Sequence, residues 1–256
     1  MADQNTGDDA SDRLAPRRRQ LLTALGAAAI PTVAGCSASN SQTTTTSTST
    51  QTTTMQTTKQ QDAESIDPRF GYIGTAGESK PVEPDHTVNL VFRPRQDAWI
   101  PEFFFEPTGL KIDVGDTVQF NIATPHHNVN AYHPGFGYNQ RVPDGVPAFS
   151  SPILTPGDYW LYTFETEGVH DIMCAPHEVY GMVGRIVVGS ATGPGAKSVG
   201  EAPGSEHSRP PEFTAALVLS SPPMQPDNIA SKGTVKWGDI PAEDKKPLLK
   251  PVQQEG

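Results

Sequence analysis

Cysteine is almost missing: Cys36 and Cys174 are the only two in 256 residues. A fold stapled by several disulfides is thereby excluded, and at most one bridge is arithmetically open. Positive charge is also scarce. Nineteen Lys and Arg face 29 Asp and Glu, a net charge of −10 with a sequence pI near 5.1, so the chain lacks the electrostatic means to neutralise nucleic-acid phosphates. Hydrophobic residues make up only 35%, against 23 Gly and 25 Pro, too little apolar material for one packed core of this length. No Asn-X-Ser/Thr acceptor occurs, and the longest apolar stretch is too short to cross a bilayer comfortably. These shortages predict a modest domain with non-globular flanks.

What is present begins with targeting signals. Arg17, Arg18 and Arg19 precede an apolar stretch from Leu21 to Val33, the order of a charged region and a short hydrophobic region in an export signal. Arg18-Arg19-Gln20-Leu21-Leu22 resembles a twin-arginine signal, and Val33-Ala34-Gly35-Cys36 resembles a lipobox. By that resemblance, cleavage leaves Cys36 at the new N-terminus carrying a lipid. The competing reading is a short helix with a chance cysteine. From Thr43 to Thr58 the chain is mostly Thr with Ser and Gln, a composition that cannot bury enough apolar surface to offset chain entropy and reads as a stalk. The four basic and four acidic residues before Cys36 cancel, so the acidic excess survives maturation. In this it resembles secreted proteins of salt-loving archaea. The expected organisation is an export signal over 1–36, a Thr-rich stalk over 37–80, a folded domain over 81–190, and a Pro/Gly-rich extension over 191–256.

Strand signals concentrate between His86 and Val188. Thr87–Phe92, Leu110–Val114 and Thr117–Ile122 alternate polar and apolar residues with period two. Gly115-Asp116 between the last two is a hairpin-type signal. Asp158–Phe164, Val169–Met173 and Met182–Val188 are further candidates. No stretch there sustains helical periodicity beyond two turns, so the pattern predicts an all-β, antiparallel sandwich or barrel of roughly 100 residues. In the extension, 191–211 reads as a linker, Phe213–Leu219 as a brief helix or strand, and Gly233–Trp237 as a short strand.

The most informative residues are Cys174-Ala175-Pro176-His177-Glu178-Val179-Tyr180-Gly181-Met182. They place a thiolate, an imidazole and a thioether on one loop between two strands. Pro125-His126-His127-Asn128-Val129 supplies a second imidazole about fifty residues upstream. Two His, one Cys and a weak axial Met form the ligand field that suits copper in both oxidation states. Structural zinc sites use Cys and His without thioether, so Met182 argues against zinc. A nucleophilic Cys174–His177 pair lacks an orienting acid. Singly, a buried Cys or a Met near a strand start is more often packing than ligand, and it is their combination that reverses the odds. For His133 and His170 the structural reading dominates, and His86 and His207 carry no signal.

Together with Val114-Gly115-Asp116-Thr117-Val118 and the closing Gly181-Met182-Val183-Gly184-Arg185-Ile186-Val187-Val188, these motifs resemble the cupredoxins, in particular plastocyanin, pseudoazurin and the halocyanins, over about residues 86–190. The resemblance implies a Greek-key β-sandwich holding one type 1 copper through His127, Cys174, His177 and Met182. His126 is the alternative to His127. Asn128 is implied to pin the ligand loop. Relatives often carry Ser or Thr after the cysteine, where this chain has Ala175, so the loop is expected to be held in another way. Cys36 and Cys174 then have separate fates, and no disulfide forms between them.

A single closed copper site has no open position for a substrate, and no His-x-His pair exists for further copper centres. The resemblance therefore implies no enzyme but a one-electron carrier. Its expected place is the outer face of the cytoplasmic membrane, tethered through lipid on Cys36 and exchanging electrons with redox proteins of the membrane electron-transport chain. His177, flanked by Pro176 and near Pro125, is the expected port. The alternative is a copper-holding or copper-delivery lipoprotein without redox turnover.

Overall fold

The computed structural model describes residues 66–247 apart from Asp97. The segment read as an export signal, with Cys36, and the Thr tract lie outside the described residues. Among those described, the strands in chain order are β1 (Tyr72–Thr75), β2 (His86–Arg93), β3 (Glu102–Glu106), β4 (Gly109–Ile112), β5 (Thr117–Ile122), β6 (Asn130–Ala131), β7 (Asp158–Thr163), β8 (Gly168–Met173), β9 (Val183–Val188) and β10 (Thr234–Val235). Two α-helices lie between β9 and β10, α1 (Phe213–Ser220) and α2 (Pro226–Lys232). None of the described helices is long and apolar enough to cross a membrane.

The strands form two five-stranded sheets, ordered β1-β7-β5-β2-β3 and β10-β4-β9-β8-β6. Period-two alternation decides which side chains enter the space between them. On β5, Val118, Phe120 and Ile122 are buried, while Gln119 and Asn121 are half-buried on the other face. They meet Val88, Leu90, Trp160, Ile112 and Ile186 in the main core.

Three features differ from the sequence expectation. The sandwich is mixed rather than antiparallel, because β2 pairs with β5 and β4 with β9 in parallel. Gly115-Asp116 closes no hairpin: β4 and β5 belong to different sheets, and the turn carries the chain between them. Turn chemistry specifies a reversal and leaves open which edge the next strand finds.

Third, the packed body runs past both 81 and 190. β1 falls in the segment read as stalk, yet it pairs with β7 from Tyr72↔Leu161 to Thr75↔Asp158. The segment read as linker and extension covers the outer face of the second sheet. There Val169, Val183 and Val187 pack with Ala215, Val218, Leu219, Met224 and Trp237. Every residue of β8 and β9 is buried for that reason.

That covering is fastened by a buried ionic triad. Asp171 on β8 accepts from Arg141 Nε at 2.6 Å and from Arg185 Nε at 2.7 Å and Nη2 at 2.9 Å. The second positive charge is met by carbonyls of the covering segment. Arg141 Nη2 donates to Gly195 at 2.9 Å and Lys197 at 3.1 Å, and Arg185 Nη1 to Met224 at 2.6 Å. Burial works against ionisation of Asp171, but Arg185 and Arg141 outweigh it and hold the carboxyl below its usual range.

Candidate metal centre

β8 and β9 are antiparallel neighbours whose last pair is Met173↔Val183. The nine residues between them therefore start and finish side by side, and Cys174 N–H donates to Met182 O at 3.0 Å. Between those ends Ala175–Tyr180 winds as a 3₁₀ turn entered through Pro176 and closed by Gly181 in the left-handed region, φ 94°. His177 N–H donates to Cys174 O at 3.0 Å and Met182 N–H to His177 O at 3.2 Å, which folds the loop back over its own base. The second imidazole arrives from the loop after β5. His126 takes a left-handed backbone, φ 68°, and is exposed. His127, next in the chain, is fully buried, and its carbonyl accepts from Leu154 N–H at 3.0 Å.

Three donor atoms converge. Cys174 Sγ lies 3.7 Å from His127 Nδ1 and 3.4 Å from His177 Nδ1, and the two Nδ1 atoms are 3.2 Å apart. A point equidistant from three atoms with those separations lies about 2.0 Å from each, the length of a first-row metal bond to imidazole and slightly short of one to thiolate. Among the described residues this is the one His/Cys/Asp/Glu cluster of metal-holding geometry. Met182 is fully buried in the same core cluster as Cys174, at the base of the loop. Imidazole and thiolate together are a donor set suited to copper. The structure brings His127 to the cluster and leaves His126 outside it.

The surroundings fix these donors. Asn128 N–H donates to Cys174 Sγ at 3.5 Å, and Asn128 Oδ1 accepts from Ala175 N–H at 2.9 Å. The pin needs only the backbone of residue 175, so the missing hydroxyl leaves this half intact. Thr124 Oγ1 stands 2.9 Å from His127 Nε2. With Nδ1 facing the cluster, Nε2 carries the proton and donates. The same hydroxyl accepts from Phe92 N–H at 2.7 Å and faces Leu90 O at 3.4 Å, so all its capacity is used. Phe103 on β3 lies flat on His177. Neither residue is evident from sequence. Thr124 carries one weak signal, its place three residues before His127, and Phe103 has no link to the loop until the sheets are paired.

Burial sets the protonation of the metal-free site. It presses both imidazoles down to about 4, helped at His127 by His177 and His126, and at His177 by His126. It raises the Cys174 thiol to about 12, although amide donors act the other way. Without metal the cluster is thus two neutral imidazoles and a thiol. Three of the other histidines have structural partners. His170, buried on β8, donates from Nε2 to Thr166 O at 2.8 Å. His133 accepts from Gly135 N–H at 2.9 Å, His86 lies 3.0 Å from Asp116, and His207 is exposed.

Residues 96–189 match the model of the copper binding proteins of the plastocyanin/azurin family. The chain is 37% identical to a plastocyanin of Prochlorothrix hollandica over 33% of its own length and 62% of that protein's. It is 29% identical to a pseudoazurin of Paracoccus pantotrophus, over 41% of this chain and 64% of the other. It thus spans less than two thirds of the length of those two relatives. With a plastocyanin of Vicia faba the identity is 30% over 33% of this chain, and the match takes in 86% of that protein. A two-sheet sandwich whose loops gather two imidazoles and a cysteine sulfur agrees with that sequence similarity, and the chain belongs to the plastocyanin/azurin family of copper-binding proteins.

Proposed function

We propose that the chain is a one-electron carrier holding a single type 1 copper on His127, Cys174 and His177, with Met182 as a weak fourth ligand. The observation that carries this reading is the triangle of two Nδ1 atoms and one Sγ with edges of 3.2 to 3.7 Å, set in a buried loop base. Copper bound there supplies a reversible change between Cu(II) and Cu(I). The protein's part is to resist rearrangement. Asn128 ties the two ligand loops together, Thr124 fixes the ring of His127, and Phe103 holds the ring of His177 flat. A donor set held this way in both oxidation states changes little when an electron passes. His177, half-buried at the loop's outer side, is the port through which redox partners exchange the electron.

In this reading Cys36 carries a lipid that tethers the domain by its Thr-rich stalk to the outer face of the cytoplasmic membrane, where it serves the electron-transport chain. The support is the order of Arg18-Arg19, apolar stretch and Val33-Ala34-Gly35-Cys36 in the sequence, with an acidic exterior suited to high salt. Cu(II) added to the purified protein should give an intense blue colour that ascorbate bleaches and that Cys174→Ser lacks. A colourless copper complex would overturn the carrier reading and favour copper holding. Membrane recovery should be lost in Cys36→Ser, and its persistence would refute the tether.

A further inference from the structure

Glu178 follows His177 directly in the ligand loop and is a carboxylate only 3% exposed. Four hydrogen bonds compensate its burial. Tyr132 Oη donates to Oε1 at 3.0 Å and Tyr138 Oη to Oε2 at 3.3 Å. Arg209 grips both oxygens, Nη1 to Oε1 at 3.2 Å and Nη2 to Oε2 at 2.6 Å, the bidentate arrangement that gives an ion pair direction as well as strength. Arg209 is itself held. Its N–H donates to Gly137 O at 3.0 Å, its carbonyl accepts from Asn139 N–H at 2.8 Å, and its guanidinium lies 4.4 Å from the centre of the Tyr138 ring. From the other side α1 closes on the end of the loop: a Cβ at Gly181 would stand 2.8 Å from Thr214 Cγ2.

The segment after residue 190 therefore does more than cover a sheet. We propose that it positions His177: Arg209 clamps Glu178, and with α1 it fixes from outside the loop that carries one imidazole, the thiolate and Met182. This rests on the reading of His177 as a metal ligand. Glu178 and Arg209 touch no donor atom of the cluster, so their effect passes through the loop backbone. The sandwich alone would leave the buried carboxylate with two phenol donors and no cation, a state that a buried charge does not hold without moving.

The test compares the full chain with Arg209→Ala, Arg209→Lys and Glu178→Gln. In the metal-free proteins, amide exchange at residues 175 and 177–181 should quicken about tenfold or more in Arg209→Ala and Glu178→Gln, the scale of a lost charge-assisted hydrogen bond. Amides of Phe120 and Trp160 in the far sheet should not change, and Arg209→Lys should recover part of the loss. After Cu(II) is added, the absorption and EPR spectra of Arg209→Ala should shift from those of the parent, with Lys intermediate. Loop exchange at the parent rate in both Arg209→Ala and Glu178→Gln would overturn the proposal, as would a rise shared equally by Phe120 and Trp160. If Arg209→Ala does not fold, Glu178→Gln and Arg209→Lys decide by the same measurement. If the parent takes up no copper, the carrier reading fails on its own, while loop exchange still decides whether the clamp exists.

Discussion

The ring of Phe103 lies on the ring of His177 with centroids 4.0 Å apart and planes 9° from parallel. Phe103 comes from β3 of the first sheet and His177 from the loop after β8 of the second, so the stack joins the two sheets beside the cluster. Phe92 and Tyr180 flank Phe103 at 5.7 and 5.4 Å. Stacked aromatic pairs contribute about 0.5–1.5 kcal/mol beyond their buried area. Phe103→Leu keeps an apolar cover and removes the flat face, so copper affinity should fall roughly two- to tenfold. A competition titration with a chelator measures this, and an unchanged affinity would show that the ring does not hold His177.

Thr124 accepts the proton-bearing Nε2 of His127 at 2.9 Å. Partners behind a metal-bound histidine fix its tautomer and orientation, and losing one commonly costs about 10–100-fold in metal affinity. Thr124→Val should show a loss of that size, and Thr124→Ser should restore most of it. Equal weakening in Val and Ser variants would mean that packing of the methyl group, not the hydrogen bond, matters.

At pH 7 the metal-free cluster holds one removable proton. Burial keeps His127 and His177 neutral, with values of about 4, and keeps Cys174 protonated, at about 12. Metal binding requires a thiolate and two neutral imidazoles. Copper uptake should thus release close to one proton per ion in weakly buffered solution. A release near zero would mean that the thiol is already ionised, and a release near three that the imidazoles are charged.

His170 offers a pH test remote from the cluster. Burial holds its folded value at about 4 against an ordinary 6.5. Since Nε2 donates to Thr166 O, the unprotonated Nδ1, which has no hydrogen-bond partner, is the atom that would have to be charged. Between the two values the unfolded chain binds the extra proton, so acid favours unfolding. The contribution is complete above pH 6.5 and is lost as pH falls towards 4, about 3 kcal/mol at most. In metal-free protein, His170→Gln should lose less stability than the parent over that window in denaturant titrations. Parallel curves would refute the assignment.

The Arg141–Asp171–Arg185 triad makes a contrast between breaking and replacing. Removing one partner leaves a buried charge unbalanced, so Arg185→Met should destabilise by roughly 3–5 kcal/mol. Replacing all three by apolar residues of similar size should cost far less. If the triple variant is as unstable as the single one, the hydrogen bonds from the two arginines to Gly195, Lys197 and Met224 carry more of the fastening than the ion pairs.

The strands β2, β4, β5, β7, β8 and β9 were legible because each shows alternation or a β-branched run between turn residues. β3 was not. Its Glu-Phe-Phe-Phe-Glu sequence has no period because Phe103 faces the site, Phe105 enters the core, and Phe104 between them stacks on Trp237 at 5.1 Å. Both faces are covered, so nothing alternates. The covering segment was hard to read for a similar reason. Its helices of eight and seven residues are too short for a clear stripe, and their partners lie on strands far away in sequence.

The sequence by itself determined the chemistry: which residues can offer thiolate, imidazole and thioether, and that the thiolate, one imidazole and the thioether share one loop. A nine-residue connection between paired strands leaves little freedom, so that much is local. Tertiary structure decided what spans larger separations. It turned His127 inward and His126 outward, set Thr124 and Phe103 behind the two imidazoles, and brought Arg209 to Glu178. Those choices depend on which strands pair and on what covers the second sheet, and pairing between distant segments is settled by burial of the whole surface rather than by any local pattern.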